Sequence, residues 1–204
     1  MAKREKNTEK LILEAATKVF LEKGFDGARM QEIADKAAIN KALVHYYFRS
    51  KEKLFDAIFQ EAFVQFIPKV MDVMTSDSPL FEKIKAFVNT YISMLIKNPH
   101  LPIFILHELN RHPEQMVNRI QSFGAKPELL VKNIIKEIKK GKIRPVDPRQ
   151  LIVNMIGLCI FPFAGRPIIQ GVIFKNDDKT YNRFLEDRKK DVADFIIHSI
   201  SIKK

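Results

Sequence analysis

The chain has 204 residues, 46% of them hydrophobic and 29% charged, with a formal net charge of +11 and a pI near 9.7. That mix excludes an intrinsically disordered chain and leaves enough apolar material for a sizeable core. The positive balance points to an anionic partner, with nucleic acid the commonest. A single cysteine, Cys159, excludes an internal disulfide and fits a reducing compartment. Residues 1–7 are basic, but Glu14, Lys18 and Glu22 interrupt the apolar residues beyond them, so no secretory core is expected. The longest apolar stretch, 151–164, is too short to cross a bilayer and contains Asn154 and Pro162. A cytoplasmic protein without a membrane partner is the expectation. The charge is spread out. Residues 1–53 hold twelve Lys/Arg against eight Asp/Glu, a surplus of four, and the run Lys132–Arg144 holds several of the rest. That run reads as a solvated helix face.

In chain order, residues 2–7 read as a charged, flexible arm. A helix is expected from Thr8, because Leu11, Ile12, Ala15, Ala16, Val19 and Phe20 recur at three- and four-residue spacing. Gly24 should stop it, and Phe25 should tuck into the same small core. The stretch 30–54 then carries a short helix around Ile33 and Ala34, a break at Ala38-Ile39, and a second short helix opened by Asn40 as N-cap. That second helix crowds Lys41, His45, Tyr46 and Tyr47 into two turns. With Val44 and Phe48 as the inward pair, His45 and Tyr46 point outward and Tyr47 is partly buried. Two short helices, the second with basic and aromatic polar tips, make the layout of a helix-turn-helix DNA reader. Lys51 opens a longer helix, which Pro68 should kink or interrupt.

The string GFDGARMQEIADKAAINKALVHYYFRSKEKLF resembles the N-terminal DNA-binding domain of the TetR family of bacterial transcriptional regulators. Gly24-Phe25, Ile33-Ala34, Asn40-Lys41, Tyr46-Tyr47-Phe48 and Lys51-Glu52-Lys53-Leu54 carry the likeness, over residues 8–59. The chain departs from that pattern at Ala28-Arg29, where a hydroxyl cap is usual, at Ala38 in place of the turn glycine, at Ala42-Leu43, and at His45. Arg29 is expected to replace the missing phosphate contact.

Downstream the pattern stays helical: Ser78-Pro79 to Asn98, a helix through Ile103 and Leu109 broken near Pro113, a continuation to Phe123, Pro127 to Gly141, and a start at Asp147-Pro148. Pro162 and Pro167 should disrupt what comes after that helix, before a last helix over 180–200. The fold class expected is all-α: a helix-turn-helix domain at 1–50 and a larger helical ligand-binding and dimerisation domain at 51–204.

The expected DNA-contacting set is Arg29, Asn40, Lys41, Ala42, Leu43, His45, Tyr46, Tyr47 and Lys51. Lys41 can donate to guanine in the major groove, Tyr46 and Tyr47 to phosphates, and Ala42 and Leu43 can lie against a thymine methyl. Lys51 suits a phosphate, because a cation at a helix N-terminus needs an anion nearby. The arm Lys3-Arg4-Lys6 reads as a solvated tail. In the larger domain Phe63, Phe66, Phe87, Tyr91, Phe104, His107 and Asn154 combine aromatics with polar tips and could line a ligand cavity, although aromatics at helical spacing are more often plain core. His107 and Asn154 stand out as polar groups expected to be buried.

His100, His107, His112, His198 and Cys159 make no recognisable metal set, and neither a Gly-rich phosphate loop nor a nucleophile motif is present, so no metal, cofactor or enzymatic activity is expected. The resemblance implies a ligand-responsive repressor that binds a palindromic operator as a homodimer, with an apolar or aromatic effector. The alternatives are a DNA-bound scaffold for a protein partner and a helical ligand-binding protein that reads no operator.

Overall fold

The computed structural model describes residues 2–202, and the side chains of all of these except residues 2–6, 61, 62, 65 and 111. Every regular element among them is helical, and no single helix is long and apolar enough to cross a membrane. Packing divides the chain into two compact units, the first ending at Phe63 and the second starting at Val64.

The first unit opens with α1, Ala2–Gly27. Its backbone is helical from Ala2, so residues 2–7 extend the helix instead of forming an arm; the side chains of Lys3, Arg4 and Lys6 lie outside the described residues. Ile12, Ala15, Ala16, Val19 and Phe20 form the buried face. Gly24, at φ 70° and ψ 174°, interrupts the winding, a conformation that a residue with a Cβ resists. One further turn comes after it. Helices α2 (Met30–Lys36) and α3 (Lys41–Phe48) close over this face through Ile33, Ala34, Val44 and Phe48. The start of α4 (Lys51–Thr75) completes the core with Leu54, Phe55 and Phe59. Phe25 sits 5.9 Å from Phe20 and 5.0 Å from Phe55, ring to ring, in the expected place. Burying each of these phenyl rings contributes about 1.5–3 kcal/mol, so the aromatic cluster dominates this small core.

Helix α4 runs on through Pro68, so the chain is not interrupted there. The proline has no N–H to bond the carbonyl of Val64, and both residues lie on the exposed face, where water can satisfy that carbonyl. The second unit continues with α5 (Leu80–Lys97), α6 (Leu101–Arg111), α7 (Pro113–Ser122), α8 (Pro127–Lys139) and α9 (Pro148–Ala164). After the short α10 (Arg166–Ile168) comes a wider π-helical turn at Ile169–Ile173, and α11 (Asp178–Ile200) ends the order. Asp147 and Asp177 cap α9 and α11 by accepting from the second residue of each helix, at 2.8 and 2.9 Å. The core is built from the buried faces of α5, α8, α9 and α11, with Ile84, Ile92, Leu95, Ile134, Met155, Tyr181 and Ile196 at its centre.

Pro162 lies in the last turn of α9, which ends two residues later at Ala164, and the chain bends by 63° into the segment that follows, the disruption expected there. The missing N–H of Pro162 deprives the Leu158 carbonyl, four residues back, of its helical donor. Arg188 supplies one from α11, with Nη2 2.6 Å from that oxygen. The Tyr181 hydroxyl donates at 2.7 Å to the carbonyl of Pro162 itself. Arg144 plays a similar part at the other end of α11: its backbone N–H donates to the Ile200 carbonyl at 2.9 Å and its Nε to the Ser199 carbonyl. A cation beside the last carbonyls of a helix also suits the helix dipole.

Candidate nucleic-acid interface

The turn between α2 and α3 spans the four residues 37–40. The Ile39 N–H reaches back to the Ala34 carbonyl at 3.0 Å, and Ala38 between them adopts φ 54°. This is a left-handed helix stop built on alanine where glycine is easiest. Asn40 then caps α3, its Oδ1 accepting from the Ala42 N–H at 2.8 Å. With the helix fixed at both ends, Val44 and Phe48 point into the core, and Lys41, Ala42, Leu43, His45 and Tyr46 share the exposed surface. Tyr46 is 75% exposed, an unusual placement for a ring unless it meets a partner. Tyr47 is half-buried, its ring 5.4 Å from that of Tyr46 and 6.4 Å from that of Phe48. His45 places Nδ1 3.1 Å from the Arg49 carbonyl, which uses the Nδ1–H tautomer and leaves Nε2 outward.

Arg29 sits at the N-cap of α2 with its side chain exposed. A guanidinium has no acceptor, so only the returning half of a capping box forms: the Glu32 carboxylate accepts from the Arg29 N–H at 3.4 Å. Glu32 also pairs with Lys23 at 2.7 Å, and the Lys23 hydrogen bond is the main cause holding its carboxyl below the ordinary value.

Lys51 departs from its sequence reading. Its ammonium donates to the carbonyls of Asp26 and Ala28, at 3.3 and 3.2 Å, and lies 4.6 Å from the centre of the Phe25 ring. These local partners stabilise the cation, so a phosphate is not required to explain its position. An ammonium has three donors, and one finds no acceptor among the described residues. The N-cap of α4, not anticipated from sequence, is Ser50, whose Oγ accepts from the Lys53 N–H at 3.2 Å. A serine directly before the run Lys51–Leu54 was the available signal.

The second proposed set does not come together as a whole. Phe66, Phe87 and Tyr91 form one ring cluster, with centroids 4.9 Å apart for Phe66–Tyr91 and 5.6 Å for Phe87–Tyr91. Burial pushes the Tyr91 phenol well above its ordinary value, and nearby Cys159 adds to the shift. Phe104 is buried, and Phe63 stacks on Phe59 in the first unit at 6.0 Å. His107 and Asn154, expected to be buried, are exposed. On α6 the inward stripe is Leu101, Phe104 and Glu108, so Ile103, Leu106, His107 and Asn110 form the opposite face. On α9 the inward residues are Leu151, Met155, Cys159 and Phe163, which turns Asn154 outward beside Val153. The buried polar side chain on α6 is therefore Glu108, whose Oε1 makes no hydrogen bond and lies 3.6 Å from His107 Nδ1.

Residues 12–58 match the profile of bacterial regulatory proteins of the tetR family. Over 157 residues the chain is 31% identical to the HTH-type transcriptional regulator YhgD of Bacillus subtilis, covering 74% of this chain and 80% of that one. It is 40% identical over 65 residues to the HTH-type transcriptional repressor NicS of Pseudomonas putida, 32% of this chain and 31% of the relative. Among solved structures, the transcriptional regulator FadR from Bacillus subtilis in complex with stearoyl-CoA aligns with a TM-score of 0.64 at 20% identity, over 92% of this chain and 96% of that one. A helix-turn-helix with a capped, outward-facing second helix, a family profile over that same stretch and a relative matched over most of its length lead to one conclusion: this chain belongs to the TetR family of transcriptional regulators.

Proposed function

We propose that the protein is a repressor that binds an inverted-repeat operator as a homodimer through α3 and leaves it when a small apolar or aromatic molecule occupies the second unit. The observation that carries the reading is the outer face of α3. Lys41, Ala42 and Leu43 occupy its first turn, free of core duties, where residues of a reading helix reach base edges. Lys41 supplies base donation, Leu43 apolar contact, and Tyr46, Tyr47, Arg29 and the third donor of Lys51 supply phosphate contacts. The likeness to a repressor over 65 residues favours repression.

Dimerisation is supported by exposed apolar side chains on α9 and α11: Val153 (63% exposed), Phe161 (65%) and Phe195 (66%) face away from the core. Two such helices pairing with their copies across a two-fold axis make a four-helix interface. The effector reading rests on the cluster of Phe66, Phe87 and Tyr91, with Phe104 as a further buried ring and the Tyr91 hydroxyl as the polar handle. Helix α4 carries Lys51 in the first unit and Phe66 in the second, so one helix is shared by both proposed sites. A differential affinity of about 1.4 kcal/mol suffices for a tenfold change in operator binding.

Selection of bound fragments from a random duplex pool tests the reading. The expected product is an inverted repeat with half-sites about 34–36 Å apart, or a multiple of that. Recovery of an asymmetric single site at full affinity, or of no preferred sequence, overturns it.

A further inference from the structure

The second unit carries a basic concavity that operator recognition does not use. A cleft of about 310 Å³ lies between the end of α4, the start of α5 and the outer face of α8, with Lys83 and Asn133 among its walls and Lys136, Lys140 and Lys142 at its edge. A shallower hollow of about 380 Å³ adjoins it on α8, lined by Lys132, Ile135, Lys136, Lys139 and Lys140, so Lys136 and Lys140 belong to both. The most informative group is Lys83. It is 5% exposed, yet its ammonium makes a single hydrogen bond among the described residues, to the Met74 carbonyl at 2.9 Å. A buried cation with two unspent donors and no described carboxylate within pairing distance is costly unless a counter-charge enters the cleft.

The α8 face repeats the same imbalance. Lys132, Lys136 and Lys140 stand one turn apart, an arrangement of like charges that weakens a helix. Glu137 is engaged by Lys140 at 3.4 Å and Lys142 at 3.6 Å, and no described carboxylate pairs with Lys132, Lys136 or Lys139. The cleft itself is polar and mixed. The Thr75 hydroxyl donates to the Met71 and Asp72 carbonyls, the Ser76 hydroxyl to that of Val73 and the Asn133 amide to that of Met74, so these side chains present oxygen acceptors to the cleft, as do Asp77 and Glu137, while Ser78 adds a hydroxyl. Helix α5 starts at this rim from Pro79, which gives it no side-chain cap.

We propose that this surface binds a small molecule bearing two or more phosphoryl groups and a hydroxyl-rich body, as in a nucleoside polyphosphate. One phosphoryl group enters the cleft toward Lys83 while a second lies on the Lys132–Lys140 row, and the hydroxyls and acceptors of the cleft hold the body. The volumes match those of small-ligand sites, and lysine serves phosphate as a point charge. The site stands whether or not the protein binds an operator.

Isothermal titration of the full-length protein with inorganic tripolyphosphate and with adenosine triphosphate, at physiological ionic strength, tests it. The expected result is saturable binding of one molecule per chain, weakened about tenfold or more in Lys83→Met and in Lys136→Gln/Lys140→Gln. A Lys190→Gln control, at an exposed position of α11, binds as the wild type does. The surface pair keeps the test decisive if Lys83→Met disturbs folding. Absence of saturable binding at millimolar probe overturns the site, as does equal weakening in the Lys190→Gln control, which would mark diffuse charge. Binding to phosphatidylglycerol vesicles but to neither soluble probe also overturns it, and assigns the lysines to a lipid surface.

Discussion

Lys41 and Lys51 carry the same charge and are expected to do different work. Lys41 is exposed on the first turn of α3 with no partner among the described residues, so its removal touches only what binds there. Lys41→Ala should relax the base preference at one position per half-site, at a cost of about 1–3 kcal/mol on the preferred sequence, and leave the melting temperature unchanged. Lys51 ties two carbonyls of the α1–α2 connection to the start of α4 and covers the Phe25 ring. Lys51→Ala should therefore lower the stability of the first unit, by about 1–2 kcal/mol, and weaken all duplexes alike. Fluorescence anisotropy on matched and scrambled duplexes, beside thermal denaturation, separates the two. A uniform loss from Lys41→Ala would remove its base-reading role. Sequence could not distinguish the pair, because the partners of Lys51 lie 23 and 25 residues earlier.

At the scale of elements, the α2–α3 turn is where this chain departs from an easy solution. Ala38 is held at φ 54°, which costs a residue with a Cβ roughly 1–2 kcal/mol. Ala38→Gly removes that strain and gives back part of the gain as unfolded-chain entropy. A net stabilisation of about 0.5–1 kcal/mol is expected, read as a higher denaturant midpoint with an unchanged slope. A lower midpoint would mean that the Ala38 methyl contributes packing that outweighs the strain. Helix positions and most helix starts were legible in the sequence, since proline, asparagine and aspartate mark them through local chemistry. Asn40, Asp147 and Pro127 are examples. The prolines at 68 and 162 each sit inside a helix, and what each does there depends on what surrounds the orphaned carbonyl. One faces outward and the other meets an arginine much further along the chain.

For the molecule as a whole, the inward or outward sense of each helix decided what could be read. The apolar residues of α11 divide between two faces: Tyr181, Leu185, Val192 and Ile196 lie in the core, whereas Phe195 is 66% exposed, a split that spacing alone does not reveal. Nor could it show that α6 turns Glu108 inward and His107 outward, because three-residue and four-residue steps compete on so short a helix. The exposure of Phe195 sharpens the assembly prediction. Phe195→Glu places a charge on the proposed two-fold face without touching the core, and should convert a dimer to a folded monomer with an unaltered helical spectrum. Sedimentation velocity at micromolar concentration checks it. A wild-type protein that sediments as a monomer would remove the four-helix interface.

The pair of bonds that Arg188 and Tyr181 make to α9 has a consequence for which fold the chain selects. Apolar side chains along α9 and α11 would tolerate several axial alignments, since one ridge of aliphatic groups fits a groove much like the next. The carbonyls of Leu158 and Pro162 do not share that tolerance. Slide α11 by one turn, and an arginine and a tyrosine lose their acceptors while two carbonyls beside a proline lose their donors, each a penalty of about 1–3 kcal/mol where water is excluded. A residue that breaks the hydrogen-bond ladder within one helix thereby fixes the register between two.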